Sequence, residues 1–240
     1  MSLVSDLRAA LDPAVLFEHA FGLEPLAWQR DYLHEQGSAV VLKGRQVGAS
    51  LAGAALAIHT ARYWPAVNVV VVSPSLKQST EIAARSRAGL RNLGVRLEQD
   101  SASMLRLANG SRILSLPGTA RSVRGWTAKL LILDEAAFIS PETFAAARAL
   151  VATGGRLVVQ STPATESGDF YELVEVEDPD WSKLVVRSDE VPTISPEFLA
   201  SERRGMSPDA YAQEYECVFG KAGAALFTLE RIDALFGEAS

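Results

Sequence analysis

The sequence predicts a three-layer α/β fold: a mostly parallel central sheet covered by helices on both faces, an inserted β-hairpin, and a small C-terminal subdomain. Three observations carry this. Continuous apolar, largely β-branched runs alternate with helix-patterned stretches, as strands buried on both faces do. The pair Asn109-Gly110 separates two segments that alternate apolar and polar, a strong hairpin signal. From Asp178-Pro179-Asp180 onward the composition becomes more polar.

The elements run in order. Up to about residue 36 the chain reads as helices, with an N-cap at Ser5-Asp6-Leu7-Arg8 and an apolar stripe of Leu16, Phe17, Ala20 and Phe21. Gly22 to Pro25 interrupts it, and Leu26 to His34 is a further helix. Ala39 to Leu42 is a buried strand, followed by a loop and an Ala-rich helix from about Ser50 to Arg62. Val67 to Val72 is the second strand, closed by Ser73-Pro74, with a helix from about Lys77 to Leu93 behind it. Met104 to Ala108 and Ser111 to Leu116 form the hairpin. A polar loop, Thr119 to Thr127, leads into the strand Leu130 to Leu133. A helix from about Pro141 to Ala152 then reaches Gly154-Gly155, which turns into the strand Arg156 to Gln160. Residues 1–177 make the core with its helical N-terminal segment. Residues 178–240 make the C-terminal linker subdomain, with a strand at Lys183 to Arg187 and helices near Ser195 to Arg204 and Ser207 to Phe219.

Composition limits the function classes. A net charge of -6 argues against a protein that coats nucleic acid over its whole surface, while leaving room for a local basic patch. The single cysteine, Cys217, excludes an internal disulfide or a Cys-based zinc site and fits a reducing compartment. Met1 to Asp6 lacks the basic start and apolar core of a signal peptide, and no apolar run is long enough to span a bilayer. The expectation is a soluble cytosolic protein.

Two strand ends carry chemistry. Lys43-Gly44-Arg45-Gln46-Val47-Gly48-Ala49-Ser50 succeeds the first strand as a phosphate-cradling loop would, with backbone N–H groups and a helix N-terminus directed at anionic oxygen. It departs from G-x-x-x-x-G-K-[ST] because Ala49 stands where the lysine is usual; Lys43 opens the turn instead. A four-carbon stem lets an ammonium reach the same oxygens from that side. Ser50 starts the helix with its hydroxyl placed for Mg²⁺. Leu130 to Leu133 ends in Asp134-Glu135: Asp134 can hold Mg²⁺ and Glu135 can orient and deprotonate water. The pair of motifs points to a Mg-nucleotide site and nucleotide hydrolysis. Arg45 either contacts phosphate or braces the loop. His59 reads as a packing residue, and Arg85, Arg87 and Arg91 as a solvated helix face that could touch DNA phosphate.

These motifs, in this order, resemble the ATPase domain of the large terminase subunit, the DNA-packaging motor of tailed bacteriophages. The loop from Lys43 to Ser50 is similar to that family's variant Walker A motif, with an arginine inside the turn. Leu131-Ile132-Leu133-Asp134-Glu135-Ala136-Ala137-Phe138 is similar to its Walker B motif. Gln160-Ser161-Thr162-Pro163-Ala164 resembles its coupling motif, which implies that Thr162 senses the γ-phosphate. Leu26-Ala27-Trp28-Gln29-Arg30 resembles its adenine-side segment, which implies Gln29 as the base contact. In Arg121-Ser122-Val123-Arg124-Gly125-Trp126, where the family tends to carry an Arg-Gly pair, Arg124 is the candidate arginine finger, in cis or trans. A surface arginine that anchors the loop or touches DNA phosphate fits the same residue. The resemblance covers about residues 20 to 220.

The resemblance implies ATP and Mg²⁺ as cofactors and double-stranded DNA, the portal protein and the small terminase subunit as partners. It also implies a head-to-tail homo-oligomeric ring in the assembled motor, in the cytoplasm of an infected bacterium and transiently at the procapsid portal. Alone, the chain is expected to be monomeric and slow, lacking a trans arginine. Full-length relatives carry a C-terminal nuclease domain with clustered acidic ligands; this chain ends at Glu238-Ala239-Ser240, so no nuclease activity is expected of it. Two other readings fit the residues: a helicase-like or other DNA-dependent P-loop ATPase, and a nucleotide-binding module with little turnover, suggested by Ala49.

Overall fold

The structure, a computed structural model, describes residues 2–221. Three helices open the chain: α1 (Leu3–Leu11), α2 (Pro13–Phe21) and α3 (Ala27–His34). The N-cap of α1 is Ser2 rather than the expected Ser5 stretch; its hydroxyl accepts from the Ser5 amide at 3.2 Å. Asp6 is engaged elsewhere, accepting from Arg62 and from the Tyr63 hydroxyl at 2.9 and 2.8 Å. Then come β1 (Ser38–Lys43), α4 (Ala49–Tyr63), β2 (Asn68–Ser73) and α5 (Leu76–Asn92). The middle holds β3 (Leu97–Asp100), β4 (Met104–Leu107), β5 (Arg112–Pro117), the short α6 (Ala120–Val123) and β6 (Ala128–Asp134). The remainder is α7 (Pro141–Arg148), β7 (Val151–Ser161), α8 (Asp169–Glu175), β8 (Trp181–Val186), α9 (Pro196–Gly205) and α10 (Pro208–Tyr215).

The 8-stranded sheet has the order β3-β4-β5-β2-β6-β7-β1-β8. From β5 to β8 every neighbouring pair is parallel, and β3, β4 and β5 pair antiparallel. Buried side chains alternate between the two faces as the pleat requires. On β1, Val41 enters the core beneath α1 to α5, while Val40 and Leu42 enter the core beneath α7 and α8. The same split runs along β2 (Val69 and Val71 against Val70 and Val72) and β6 (Leu130 and Ile132 against Leu131 and Leu133). The three layers and the mostly parallel sheet are as the sequence predicts.

Several boundaries differ. β3 is not among the expected strands: Leu-Glu-Gln-Asp is polar and mostly exposed, because it pairs on one side only, at the sheet edge. The helix expected to reach Ala152 stops at Arg148, and β7 begins at Val151, before the glycines. Gly154 has φ 71 and the β6–β7 register shifts between Ala128 and Leu130, so the glycines make an irregularity inside a strand rather than a turn before one. The helix expected over Ser207 to Phe219 ends at Tyr215, two residues before Cys217, whose φ is 62. β8 falls in the stretch assigned to the C-terminal subdomain, yet pairs with β1 from Ser38↔Trp181 to Lys43↔Val186 as the sheet's other edge. α9 and α10 have a small core of their own, Leu199, Tyr211 and Tyr215. Residues 222–240 of that expected subdomain lie outside the described residues. No helix among the described residues is long and apolar enough to cross a membrane.

His59 is the packing residue anticipated. Its Nε2 lies 3.1 Å from the Ala10 carbonyl, its ring packs edge-on against Tyr63 and Trp64, and burial lowers its pKa. Arg87 and Arg91 both pair with Asp100, joining α5 to β3; Arg91 remains 68% exposed on a solvated face.

Candidate nucleotide site

Parallel strands bring their C-terminal ends to one edge of the sheet, and there the loops converge. β1 delivers Lys43, β6 delivers Asp134 and Glu135, and β7 delivers Gln160 to Thr162. The register makes this a consequence of strand order: Leu42 is opposite Ser161, and Asp134 is opposite Gln160. Above them opens a cleft of about 850 Å³, lined by the whole loop Lys43 to Ser50 together with Glu135 and Thr162.

The loop is held at its start and open in its middle. The Gly44 amide donates to the Val186 carbonyl at 2.8 Å and the Arg45 amide to the Glu214 carbonyl at 2.7 Å. Ser188 Oγ donates to the Arg45 carbonyl at 2.8 Å. The amides of Gln46, Val47, Gly48, Ala49 and Ser50 make no hydrogen bond among the described residues. Five successive donors at the start of a 15-residue helix form an anion cradle. Gln46 (φ 60) and Gly48 (φ 90) take the left-handed backbone that curls the loop around that space.

The two loop glycines have separate reasons. At Gly48 the backbone is left-handed, and a Cβ would lie 2.8 Å from Gln29 Nε2. At Gly44 the constraint is close approach: a Cβ would collide with Ser188 Oγ and lie 2.9 Å from the Tyr215 carbonyl. Gly44→Ala is therefore expected to lower stability by about 1–3 kcal/mol through overpacking, and to loosen α10 from the loop. A melting curve checks the first effect, and amide exchange at residues 210–216 the second.

Lys43 is 7% exposed, and its Nζ donates to Glu135 Oε1 at 2.7 Å. Glu135 sits at φ 53, ψ 46, a conformation that turns its carboxylate out of the strand line toward the lysine. Its other oxygen accepts from Ser161 Oγ at 3.4 Å. Asp134 is 6% exposed; Gln160 Nε2 donates to its Oδ1 at 2.8 Å, and Gln160 in turn accepts from the Tyr32 hydroxyl at 3.3 Å. The other Asp134 oxygen has no hydrogen-bond partner among the described residues.

Burial pushes the Asp134 carboxyl up to about 6; Lys43 opposes this, while the Glu135 charge adds to it. An acid whose folded pKa lies above its unfolded value holds its proton more tightly when folded. Stability of the ligand-free protein then falls as pH rises from about 4 to about 6 and stays lower above that. Asp134→Asn keeps the shape and the contact with Gln160 while removing the charge. It is expected to raise stability at pH 8 by roughly 1–3 kcal/mol and to change it little at pH 4. Thermal melts at both pH values check this.

Two candidate residues are not brought to the cleft. Gln29 is buried behind the loop: its Oε1 accepts from the Leu26 amide at 2.9 Å and its Nε2 donates to the Gly48 carbonyl at 3.1 Å. Both ends of its amide are thus engaged in starting α3 and bracing the loop. Arg124 lies in a separate hollow beside Trp126, 70% exposed, with Glu142 at 3.6 Å. It does not line the cleft of its own chain. Arg45 is on the rim, its Nε 3.2 Å from Glu214, which fits the bracing reading.

The cleft also has walls that sequence reasoning did not assign to it. Gln78, Glu81 and Arg85 come from α5, and Phe198, Glu202, Glu214 and Tyr215 from α9 and α10. For α5 a signal existed: it succeeds β2, whose C-terminus reaches the same sheet edge. For α9 and α10 only the tertiary packing reveals it.

Comparison with known proteins supplies the last observation. The sequence profile of the family described as "Terminase large subunit, T4likevirus-type, N-terminal" matches residues 40–234. Among curated proteins no relative matches. Among solved structures, the large terminase ATPase domain of Thermus phage P74-26 is similar, with TM-score 0.73 and 20% identity over 87% of this chain and 99% of that one. The large terminase of bacteriophage HK97 has TM-score 0.73 and 13% identity over 88% of this chain and 55% of that one. The large terminase of bacteriophage D6E, solved in complex with ADP, has TM-score 0.68 and 13% identity over 85% of this chain and 52% of that one. This chain therefore spans about half the length of the latter two.

Proposed function

We propose that this chain, which belongs to the T4-like-virus-type family of terminase large subunits as part of its N-terminal region, hydrolyses ATP to drive double-stranded DNA into a viral procapsid. The observation that carries the reading is the meeting of Lys43 and Glu135 at 2.7 Å beneath a loop with a run of amides that have no partner among the described residues. An ammonium, a carboxylate and an anion cradle in one cleft are the parts that phosphoryl transfer to water needs. That the D6E large terminase was solved in complex with ADP supports reading this chain as a nucleotide binder.

In this reading the loop amides hold the α- and β-phosphates, and Lys43 exchanges Glu135 for phosphate oxygen. Released from the lysine, Glu135 can accept a proton from the attacking water. Thr162, 7% exposed on the cleft floor, stands where it can contact the γ-phosphate. The donors fit magnesium: Ser50 offers a hydroxyl at the helix start and Asp134 an unpaired carboxylate oxygen, both hard ligands. When bound, magnesium supplies positive charge that neutralises the transferring phosphate. Arg124, exposed and outside its own cleft, fits a finger that acts on a neighbouring subunit of a ring. Helices α9 and α10 serve as a cap that closes the cleft rim. The portal protein and small terminase subunit are the partners this role requires.

The test is phosphate release from ATP by the chain at high protein concentration, with and without Mg²⁺ and with and without linear duplex DNA. Turnover that needs magnesium and rises with DNA supports the motor reading. Turnover accompanied by strand displacement would support a helicase-like enzyme instead. Tight binding without turnover at any concentration would favour a nucleotide-binding module.

A further inference from the structure

Three arginines compete to be the cation that completes this site from within the chain, and their surroundings separate them. Arg45 is tied twice to Glu214, by its side chain and by its amide. Arg124 stands in another hollow. Arg85, on the third turn of α5, lines the nucleotide cleft opposite the loop, with Glu81 and Gln78 one and two turns before it. Gln78 is occupied in capping α5 at Ser75. The neighbouring arginines of the helix, Arg87 and Arg91, are both taken by Asp100. The one charged partner of Arg85 among the described residues is Glu81, at 2.7 Å.

That pair is easily opened. Its side chains are 44% and 55% exposed and belong to one helix at spacing i, i+4, an arrangement that contributes little stability. Helical side chains lean toward the helix N-terminus, which here carries the guanidinium along α5 toward the strand ends. α5 starts just past β2, and β2 lies beside β6 with Val72 opposite Leu133, one residue before Asp134. Arg85 and Glu81 thus line, from the α5 side, the same cleft as the loop amides, Lys43 and Glu135.

We propose that Arg85 is a cis-acting catalytic cation of this site: when ATP occupies the cleft, its guanidinium leaves Glu81 and binds the γ-phosphate. This rests on the reading of the cleft as an ATP site. In the step concerned, the water oxygen bonds to the γ-phosphorus, the bond from that phosphorus to the β-phosphate oxygen breaks, and the water proton passes to Glu135. ADP and inorganic phosphate leave. Arg85 changes no bonds; it neutralises charge on the equatorial oxygens as they separate from ADP. Glu81 parks the guanidinium while the cleft is empty or holds only ADP.

The experiment measures affinities for ADP and ATP-γ-S, then kcat and KM for ATP, on the full chain and on Arg85→Ala, Arg85→Lys and Glu81→Gln. Arg85→Ala is expected to leave ADP affinity within twofold, weaken ATP-γ-S at least tenfold and lower kcat about 10²-fold or more. Arg85→Lys should recover part of the ATP-γ-S affinity but less of kcat, because a point charge replaces a planar fork. Glu81→Gln should tighten ATP-γ-S and leave ADP alone. Equal loss for both nucleotides with a lowered melting temperature would make Arg85 a structural residue and overturn the proposal. So would a change confined to DNA affinity, or kcat within threefold of the parent. If the parent chain binds neither nucleotide, the reading of the cleft itself fails, an outcome distinct from a parent that binds ATP and is indifferent to Arg85.

Discussion

Glu135→Gln is expected to reduce ATP turnover by roughly 10²–10⁴-fold while leaving nucleotide binding intact or tighter. The two effects have one cause in the geometry. Glu135 is at once the candidate base and the partner of Lys43, at 2.7 Å. A glutamine cannot take a proton from water, so the chemical step loses its acceptor. The same change removes the charge that holds the ammonium, so an incoming phosphate no longer competes with a carboxylate for it. The local fold should tolerate the swap. Glutamine matches the shape, can accept from Lys43 with its amide oxygen and donate its NH2 to Ser161 Oγ, and meets the same left-handed backbone, which costs either residue of the order of 1 kcal/mol. The check is paired: equilibrium binding of ATP and phosphate release under single-turnover conditions. Turnover within threefold of the parent would remove Glu135 from the centre of the mechanism, and binding lost together with turnover would mean that it shapes the cleft.

The parts of the site visible in the sequence are those where local chemistry and chain position coincide. Val-Val-Leu running into Lys43-Gly44, and Leu-Ile-Leu running into Asp134-Glu135, each join a buried strand to its functional residues within a few positions. A strand buried on both faces has to be apolar throughout, so its end stands out against the polar residues beyond it. β3 is invisible for the complementary reason: an exposed edge strand of Leu-Glu-Gln-Asp carries no apolar signature. β8 reads as a strand but falls into a separate unit, because a sheet edge is more polar than a sheet centre. Gln29 is expected at the cleft because its segment resembles one that contacts a base. Its depth behind Gly48 depends on how α3 packs on the loop, which spacing along the chain does not encode. The α5, α9 and α10 walls belong to the same class of information. Arg85 shows this most plainly, since its helix can be drawn from the pattern but not the side of that helix that meets the loop.

Lys43→Ala is expected to weaken ATP binding by at least 10²-fold and to abolish measurable hydrolysis, because it removes the ammonium at the cleft floor. The ligand-free fold should also lose stability, by roughly 1–2 kcal/mol, less than a fully buried pair would cost, since the Glu135 side chain is 24% exposed and water can take over part of its solvation. A simple loss of binding would not distinguish a phosphate contact from a collapsed loop. The double variant Lys43→Ala with Ala49→Lys makes that distinction. Position 49 begins α4 and lines the cleft, although Ala49 is 6% exposed and packs on the core beneath the helices. A lysine there can bury its stem and extend its ammonium to the cleft, restoring the more usual order of the loop. Recovery of at least tenfold in ATP affinity would show that the cradle needs one ammonium and is indifferent to which side of the turn provides it. Affinity that stays lost, with the melting temperature restored, would mean that the charge has to arrive along β1, where the pairing with Glu135 couples phosphate capture to release of the base. Binding unchanged in the single variant would separate Lys43 from phosphate altogether, leaving the loop amides and Arg85 as the holders of the nucleotide.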